Sequence, residues 1–187
     1  MKYFVLNKPY GVLSQFTSEN GKKTLGDIYD FPPKVYPVGR LDLDSEGLLL
    51  LTDDKTLTDF LLNPINRHER EYYVQVEGIT SADELKVLES GIIIEGKKTL
   101  PVKAKKLDNF IIDTRIPPIR FRKNVPDSWI SLILTEGRNR QVRKMTAAIG
   151  HPTLRLIRVR IKNIQIGKLK PGEVRKLTKT EIDLLTS

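Results

Sequence analysis

The run Gly39-Arg40-Leu41-Asp42-Leu43-Asp44-Ser45-Glu46-Gly47 places three carboxylates on a glycine-bounded turn, then enters Leu48-Leu49-Leu50-Leu51-Thr52. A carboxylate on a loop held by a rigid sheet occupies a usual place for working residues. Kept ionised by a nearby cation, such an Asp can serve as nucleophile or base. Two further segments supply matching chemistry. Arg70-Glu71-Tyr72-Tyr73-Val74 carries rings on a strand, and Glu136 to Met145 carries Arg138, Arg140, Arg143 and Lys144 around the start of a helix.

Each motif has a plainer alternative. Asp42 and Asp44 also suit a turn in which side chains bond the local backbone. Asp42, Asp44, Glu46, Gly47 and Asp53 fall on loop positions of the calcium-binding EF-hand. Its ninth position is Leu50 and its last is Asp rather than a bidentate Glu, so calcium is set aside. Paired-acid hydrolysis needs two carboxyls across a bond, which three on one turn do not provide. Tyr72 shares a strand face with Val74 and Val76, which fits a core tyrosine and equally a ring offered to a base. A basic helix start is also a common solvated or phosphate-binding face.

The elements that must position these residues are legible in outline. Tyr3 to Asn7 reads as a strand closed by Lys8-Pro9-Tyr10-Gly11, and Leu48 to Thr52 as a buried strand. Short helices are expected at Thr24 to Tyr29 and Asp54 to Leu62, the second stopped by Asn63-Pro64. Tyr72 to Glu77 alternates as a strand. Ser81, with Glu84 three residues on, opens a helix running to Gly91. Strands follow near Ile92–Glu95, Val102–Leu107, Phe110–Thr114 and Trp129–Thr135. Asn139 is expected to cap a helix ending at Gly150, ahead of a largely extended Leu154–Ile166 and a last helix from Thr178 to Leu185. Residues 115 to 128 read as an irregular basic, proline-containing arm. Without a regular βαβ rhythm, the expectation is an α+β fold: a mixed, largely antiparallel sheet with flanking helices.

Composition narrows the function. The 187 residues suit one domain with a real core, or one domain with two lobes around a cleft. The absence of Cys removes disulfides, thiolate catalysis and Cys-bound zinc. His68 and His151 are the only histidines, and no hydrolase elbow, zinc-protease or nucleotide-binding glycine motif occurs, so no metal and no cofactor are expected. No apolar run approaches the roughly 20 residues that span a bilayer, and the start does not read as a signal peptide, so the cytoplasm and no membrane are expected. Net charge is +9, and from Arg138 to Lys176 only Glu173 opposes the basic residues. That asymmetry points to an anionic polymer as partner.

Taken in order, these segments resemble the RsuA-type family of ribosomal RNA pseudouridine synthases. Asn7-Lys8-Pro9-Tyr10-Gly11-Val12 is similar to its N-terminal motif, Gly39-Arg40-Leu41-Asp42 with the following strand to its catalytic loop, Arg70-x-Tyr72-x-Val74 to its tyrosine motif, and Glu136 to Met145 to its third motif. Lys170-Pro171-Gly172-Glu173-Val174-Arg175 resembles its late motif, with Val174 where an aromatic is usual. The arm and the Tyr73–Gly78 strand resemble the family's large-subunit branch, without the separate S4 RNA-binding domain of several members.

The resemblance implies a single catalytic domain over 1–187 that isomerises one uridine of 23S rRNA, free or in a large-subunit precursor; a monomer is the default expectation. Asp42 is implied as the catalytic carboxylate, as nucleophile at C1′ or base at C2′. Arg143 is implied as its cationic partner, Tyr72 as the stacking ring and Arg40 as support. Lys8, Arg120, Arg122, Arg138, Asn139, Arg140 and Lys144 are expected to bind RNA. The rival from another class is a non-catalytic RNA-binding or ribosome-assembly protein, which explains the charge but not the joint occurrence of the Asp, Tyr and Arg motifs.

Overall fold

The structure, a computed structural model, describes residues 1–119 and 125–186. Its strands and helices run in the order β1 (Tyr3–Lys8), β2 (Tyr36–Pro37), β3 (Glu46–Thr52), α1 (Lys55–Leu62), β4 (Arg70–Glu77), α2 (Ala82–Glu89), β5 (Ile93–Ile94) and β6 (Lys97–Lys98). They continue with β7 (Lys103–Lys106), β8 (Asp127–Leu134), α3 (Gln141–Ala148), β9 (Thr153–Ile161), β10 (Ile164–Gln165), β11 (Val174–Lys176) and α4 (Lys179–Thr186). The mixed α+β class and the mostly antiparallel pairing agree with the expectation. The chain divides into two compact units, residues 1–68 with 157–187 and residues 69–156.

In the first unit β1 lies between β11 and β3, antiparallel to both, and β3 also pairs with β9 in parallel through Glu46–Ile157 and Gly47–Arg158. Every residue of β3 is buried because both faces of the strand are covered. Leu48 and Leu50 pack with Val5, Leu57, Leu61 and Leu185, whereas Leu49 and Leu51 pack with Phe4, Leu6, Leu25 and Val35. Two cores on alternate residues explain why this stretch is continuously apolar. Each leucine so buried contributes roughly 1.5–3 kcal/mol. Asp54 caps α1 by accepting from the Leu57 amide at 3.0 Å.

In the second unit β8 lies between β4 and β7, antiparallel to both. Val74, Val76, Ile130, Leu132 and Leu134 present one face to Leu85 and Leu88 of α2 and to Val142 and Met145 of α3. The Ser81–Glu84 capping box opens α2 as expected.

Two expectations are corrected. Thr24–Tyr29 is not a full helix: the Asp27 carboxylate folds back on the Thr24 amide and hydroxyl, and the turn spans only Leu25–Asp27. Phe110–Thr114 forms no strand. Phe110 instead packs edge-on against Tyr73 and Trp129, and Arg155 Nη1 donates to the Asp113 carbonyl at 2.8 Å, so side chains anchor this segment. The tract from Leu154 is largely extended as expected, in β9 and β10, with a hairpin turn at Lys162, where φ is 49°.

Candidate functional site

Asp42 opens a tight turn in which the Ser45 amide donates to the Asp42 carbonyl at 3.0 Å. The turn is held from several directions within its unit. The Ser14 hydroxyl donates to the Leu41 carbonyl at 2.8 Å and accepts from the Leu41 amide at 3.0 Å. The Gly11 amide donates to the Leu43 carbonyl at 2.8 Å. On the far side the turn runs directly into β3, where Gly47 has φ +106° and a Cβ would lie 2.7 Å from the Arg158 nitrogen. Only glycine permits both that conformation and that approach. Asp42 is half-buried, so its carboxylate sits on a rigid support with its surroundings partly desolvated.

Lys8 lies inside this support. It is fully buried, and its Nζ donates to the Val12 carbonyl at 2.7 Å and the Pro9 carbonyl at 3.0 Å. Desolvation by burial lowers its pKa from 10.5 to about 8, opposed by the negative charges of Glu46, Asp44 and Asp42, while Arg158 adds to the lowering. Lys8 therefore ties the Pro9-Tyr10-Gly11 turn together and places positive charge behind the carboxylate turn. Its sequence motif suggested a surface cation; the carbonyls of a buried turn need a donor, which puts it inside instead. Arg158 is also buried and donates from Nε to the Leu48 carbonyl at 2.8 Å. Arg40 is exposed and donates to Gln15 Oε1 at 3.3 Å.

In the second unit Tyr72 lies opposite Leu132 in the β4–β8 ladder and packs, half-buried, against the core. Tyr73 points to the other face beside Phe110, and its hydroxyl pKa is raised by burial and by Glu71. Arg143 occupies the first turn of α3, half-buried, with Nη1 donating to the Thr153 carbonyl at 3.4 Å.

The start of α3 differs from the expected Asn139 cap. Arg140 takes the cap position at φ 51°, with no side-chain capping bond. The buried Gln141 does the work instead, its Oε1 accepting from the Arg138 amide at 3.0 Å and its Nε2 donating to Glu136 Oε1 at 2.6 Å. Arg138 clamps the β5–β6 hairpin by donating to the Lys97 and Lys98 carbonyls at 3.2 and 2.6 Å, and it also bonds Glu136. Lys144 pairs with Glu95 at 2.7 Å. Asn139 and Arg140 are exposed, while Arg120 and Arg122 lie outside the described residues. Ser14, Glu136 and Gln141 were not singled out in the sequence. The Glu-x-x-x-x-Gln spacing flanking the basic run was the one available signal for the latter pair.

Among the described residues no group of three or more His, Cys, Asp or Glu is arranged to hold a metal ion. No helix of the described residues is long and apolar enough to cross a membrane.

Residues 2–148 match the sequence model of a family described as RNA pseudouridylate synthase. A ribosomal large subunit pseudouridine synthase E from Xanthomonas axonopodis pv. citri is 50% identical over 170 residues, covering 89% of each chain. A protein of the same name from Vibrio parahaemolyticus is 47% identical over 92% of this chain and 72% of its own. A crystal structure of a pseudouridylate synthase superposes with a TM-score of 0.81 at 31% identity, over 98% of this chain and 73% of that one.

Proposed function

The chain belongs to the RNA pseudouridylate synthase family, and from that premise we propose that it isomerises a specific uridine of 23S ribosomal RNA with Asp42 as the catalytic carboxylate. The observation that carries the reading is the Asp42 turn: a carboxylate braced by Ser14, Gly11 and β3 and backed by the buried Lys8 ammonium. The large-subunit substrate rests on the names of relatives at 50% and 47% identity.

The reaction balances without any redox change. The N1–C1′ bond breaks, uracil turns, and C5 bonds to C1′. C5 loses its proton and N1 gains one. Asp42 acts at the ribose in ionised form, whether it attacks C1′ or removes the C2′ proton, and both routes need a positioned carboxylate. Arg143 is the cation that the family resemblance implies for the site, and its planar fork suits a nucleotide. Tyr72 offers its ring to the uracil. Freeing the uridine from its stack costs a few kcal/mol, which cations at the phosphates offset. Arg140, Asn139 and Lys144 are assigned to that contact with Arg120 and Arg122, whereas Arg138 and Lys8 support the protein. The reading includes a cytoplasmic monomer acting on rRNA or a large-subunit precursor.

The deciding experiment is tritium release from 23S rRNA labelled at uridine C5, comparing the wild type with Asp42→Asn. Release by the wild type alone, from an intact strand, is expected. Equal release by both proteins removes Asp42 from its role. No release from rRNA or from immature subunits rejects the substrate.

A further inference from the structure

The loops that brace Asp42 also carry aromatic rings that continue outward from the core. Phe4, almost fully buried, packs at right angles to Phe31, with ring centres 5.6 Å apart. Phe31 meets Phe16 at 5.8 Å, and Phe16 meets Tyr36 at 6.2 Å, so the rings step outward from the interior to the surface. Phe16 is 36% exposed and Tyr36 is 64% exposed. Phe31 packs against the hydrophobic core cluster beneath, but Phe16 and Tyr36 lie beyond it. Rigid rings held this far out contribute little to folding and present large apolar faces to water.

The placement of these rings connects them with the catalytic turn. Gln15, next to Phe16, accepts from Arg40, and Ser14 is doubly bonded to Leu41. Asp42 follows directly. Phe16 is two residues from Ser14, at most about 7 Å of chain, so the rings stand only a few nucleotides' length from the catalytic carboxylate. Arg40 and Lys34 are exposed beside them. The local carboxylates are partly occupied, since Glu19 accepts from the Gln15 amide nitrogen and Asp27 closes the Thr24 box. Outward-facing rings interleaved with cations are the chemistry of a surface that stacks bases and holds phosphates. The exposed Arg40 and Lys34 and the chain's net charge of +9 favour an anionic strand over a protein partner on these rings.

We propose that Phe16 and Tyr36 form a stacking platform for unpaired nucleotides flanking the target uridine, with Arg40 and Lys34 at their phosphates. This rests on the RNA-modifying function above and deepens it: the first unit contributes a binding surface as well as the carboxylate. Stacking on rings accepts any base, so the platform holds the strand while other contacts select the site.

The test uses the full chain with two probes, an unstructured oligouridylate and 23S rRNA tritiated at uridine C5. Tyr36→Trp places a fluorophore on the platform, with wild type supplying the Trp129 background. Oligouridylate is expected to quench the added emission. Phe16→Ala and Tyr36→Ala are each expected to raise Kd and KM about 10-fold, in the range of one lost base–ring stack, with kcat within about 2-fold. Tyr36→Phe should restore wild-type values. If Phe16→Ala fails to fold, the more exposed Tyr36 decides alone. Unchanged Kd in the alanine variants together with an unquenched Tyr36→Trp overturns the platform and leaves the rings to another partner, even if wild type releases tritium. Failure of wild type to release tritium, with oligouridylate quenching intact, rejects the 23S rRNA substrate and keeps the platform.

Discussion

The Ser14 hydroxyl and the Leu41 backbone are bonded twice, the hydroxyl donating to the carbonyl at 2.8 Å and accepting from the amide at 3.0 Å. Both residues are buried, so one side chain satisfies the peptide groups immediately before Asp42. Ser14→Ala leaves a buried donor and acceptor unpaired, a cost of about 1–3 kcal/mol. The expected outcome is a folded, less stable protein whose kcat falls more than its RNA affinity. Chemical denaturation and tritium-release kinetics check this. An unaltered kcat in a destabilised variant would show that the bonds support the fold without positioning the carboxylate.

Lys8 gives a pH dependence with a definite sign. In the unfolded chain it keeps its proton up to about 10.5, whereas burial in the folded chain lowers the pKa to about 8. Between those values the unfolded state binds more protons, so this group makes stability rise as pH climbs from about 8 to 10.5. Below about 8 the full cost of burying the charge is present. Lys8→Met is expected to remove that contribution to the slope of unfolding free energy against pH. Because the side chain is buried, the same variant should keep the salt dependence of RNA binding. A loss of one phosphate contact in that slope would put Lys8 on the RNA.

Gly47 combines φ +106° with close approach to the Arg158 backbone. Gly47→Ala is expected to cost at least about 3 kcal/mol, from strain plus displacement of a paired strand. The loss should appear as a lowered denaturation midpoint and a weakened β3–β9 pairing by amide exchange. Wild-type stability would rule out the contact at that register.

Arg138 and Arg140 separate support from binding although they are two residues apart. Arg138 donates to the Lys97 and Lys98 carbonyls, so Arg138→Ala should lower stability while leaving the salt slope of RNA binding intact. Arg140 is exposed, and Arg140→Ala should reduce the slope by about one for a lost phosphate contact. Measuring affinity across a salt series tests both, and exchanged outcomes would reverse the assignment.

Several elements were legible from local pattern. The Ser81–Glu84 box opened α2 as expected, since both partners lie within one turn. The alternation of β4 correctly separated Tyr72, Val74 and Val76 from Tyr73, which faces Phe110. By contrast, the Thr24 turn, the Phe110 segment and the start of α3 each went against expectation, and in each a side chain took backbone bonds or packing that local pattern did not reveal. At the helix start Gln141 replaces Asn139, and its partner Glu136 is itself held by the Leu100 amide from a distant stretch of chain.

The sequence by itself determined the order of the chemical motifs, the α+β class and the two-sided burial of Leu48 to Leu51, because side-chain type and strand periodicity act over a few residues. Only the tertiary structure decided that Lys8 lies inside, that Ser14 carries the Leu41 peptide groups and that Arg138 clamps a hairpin. Those outcomes depend on which distant backbone groups would otherwise be left unpaired on burial. Hydrogen bonds between Ser14 and Leu41, or between Arg138 and Lys98, form only after the chain has brought their donors and acceptors together.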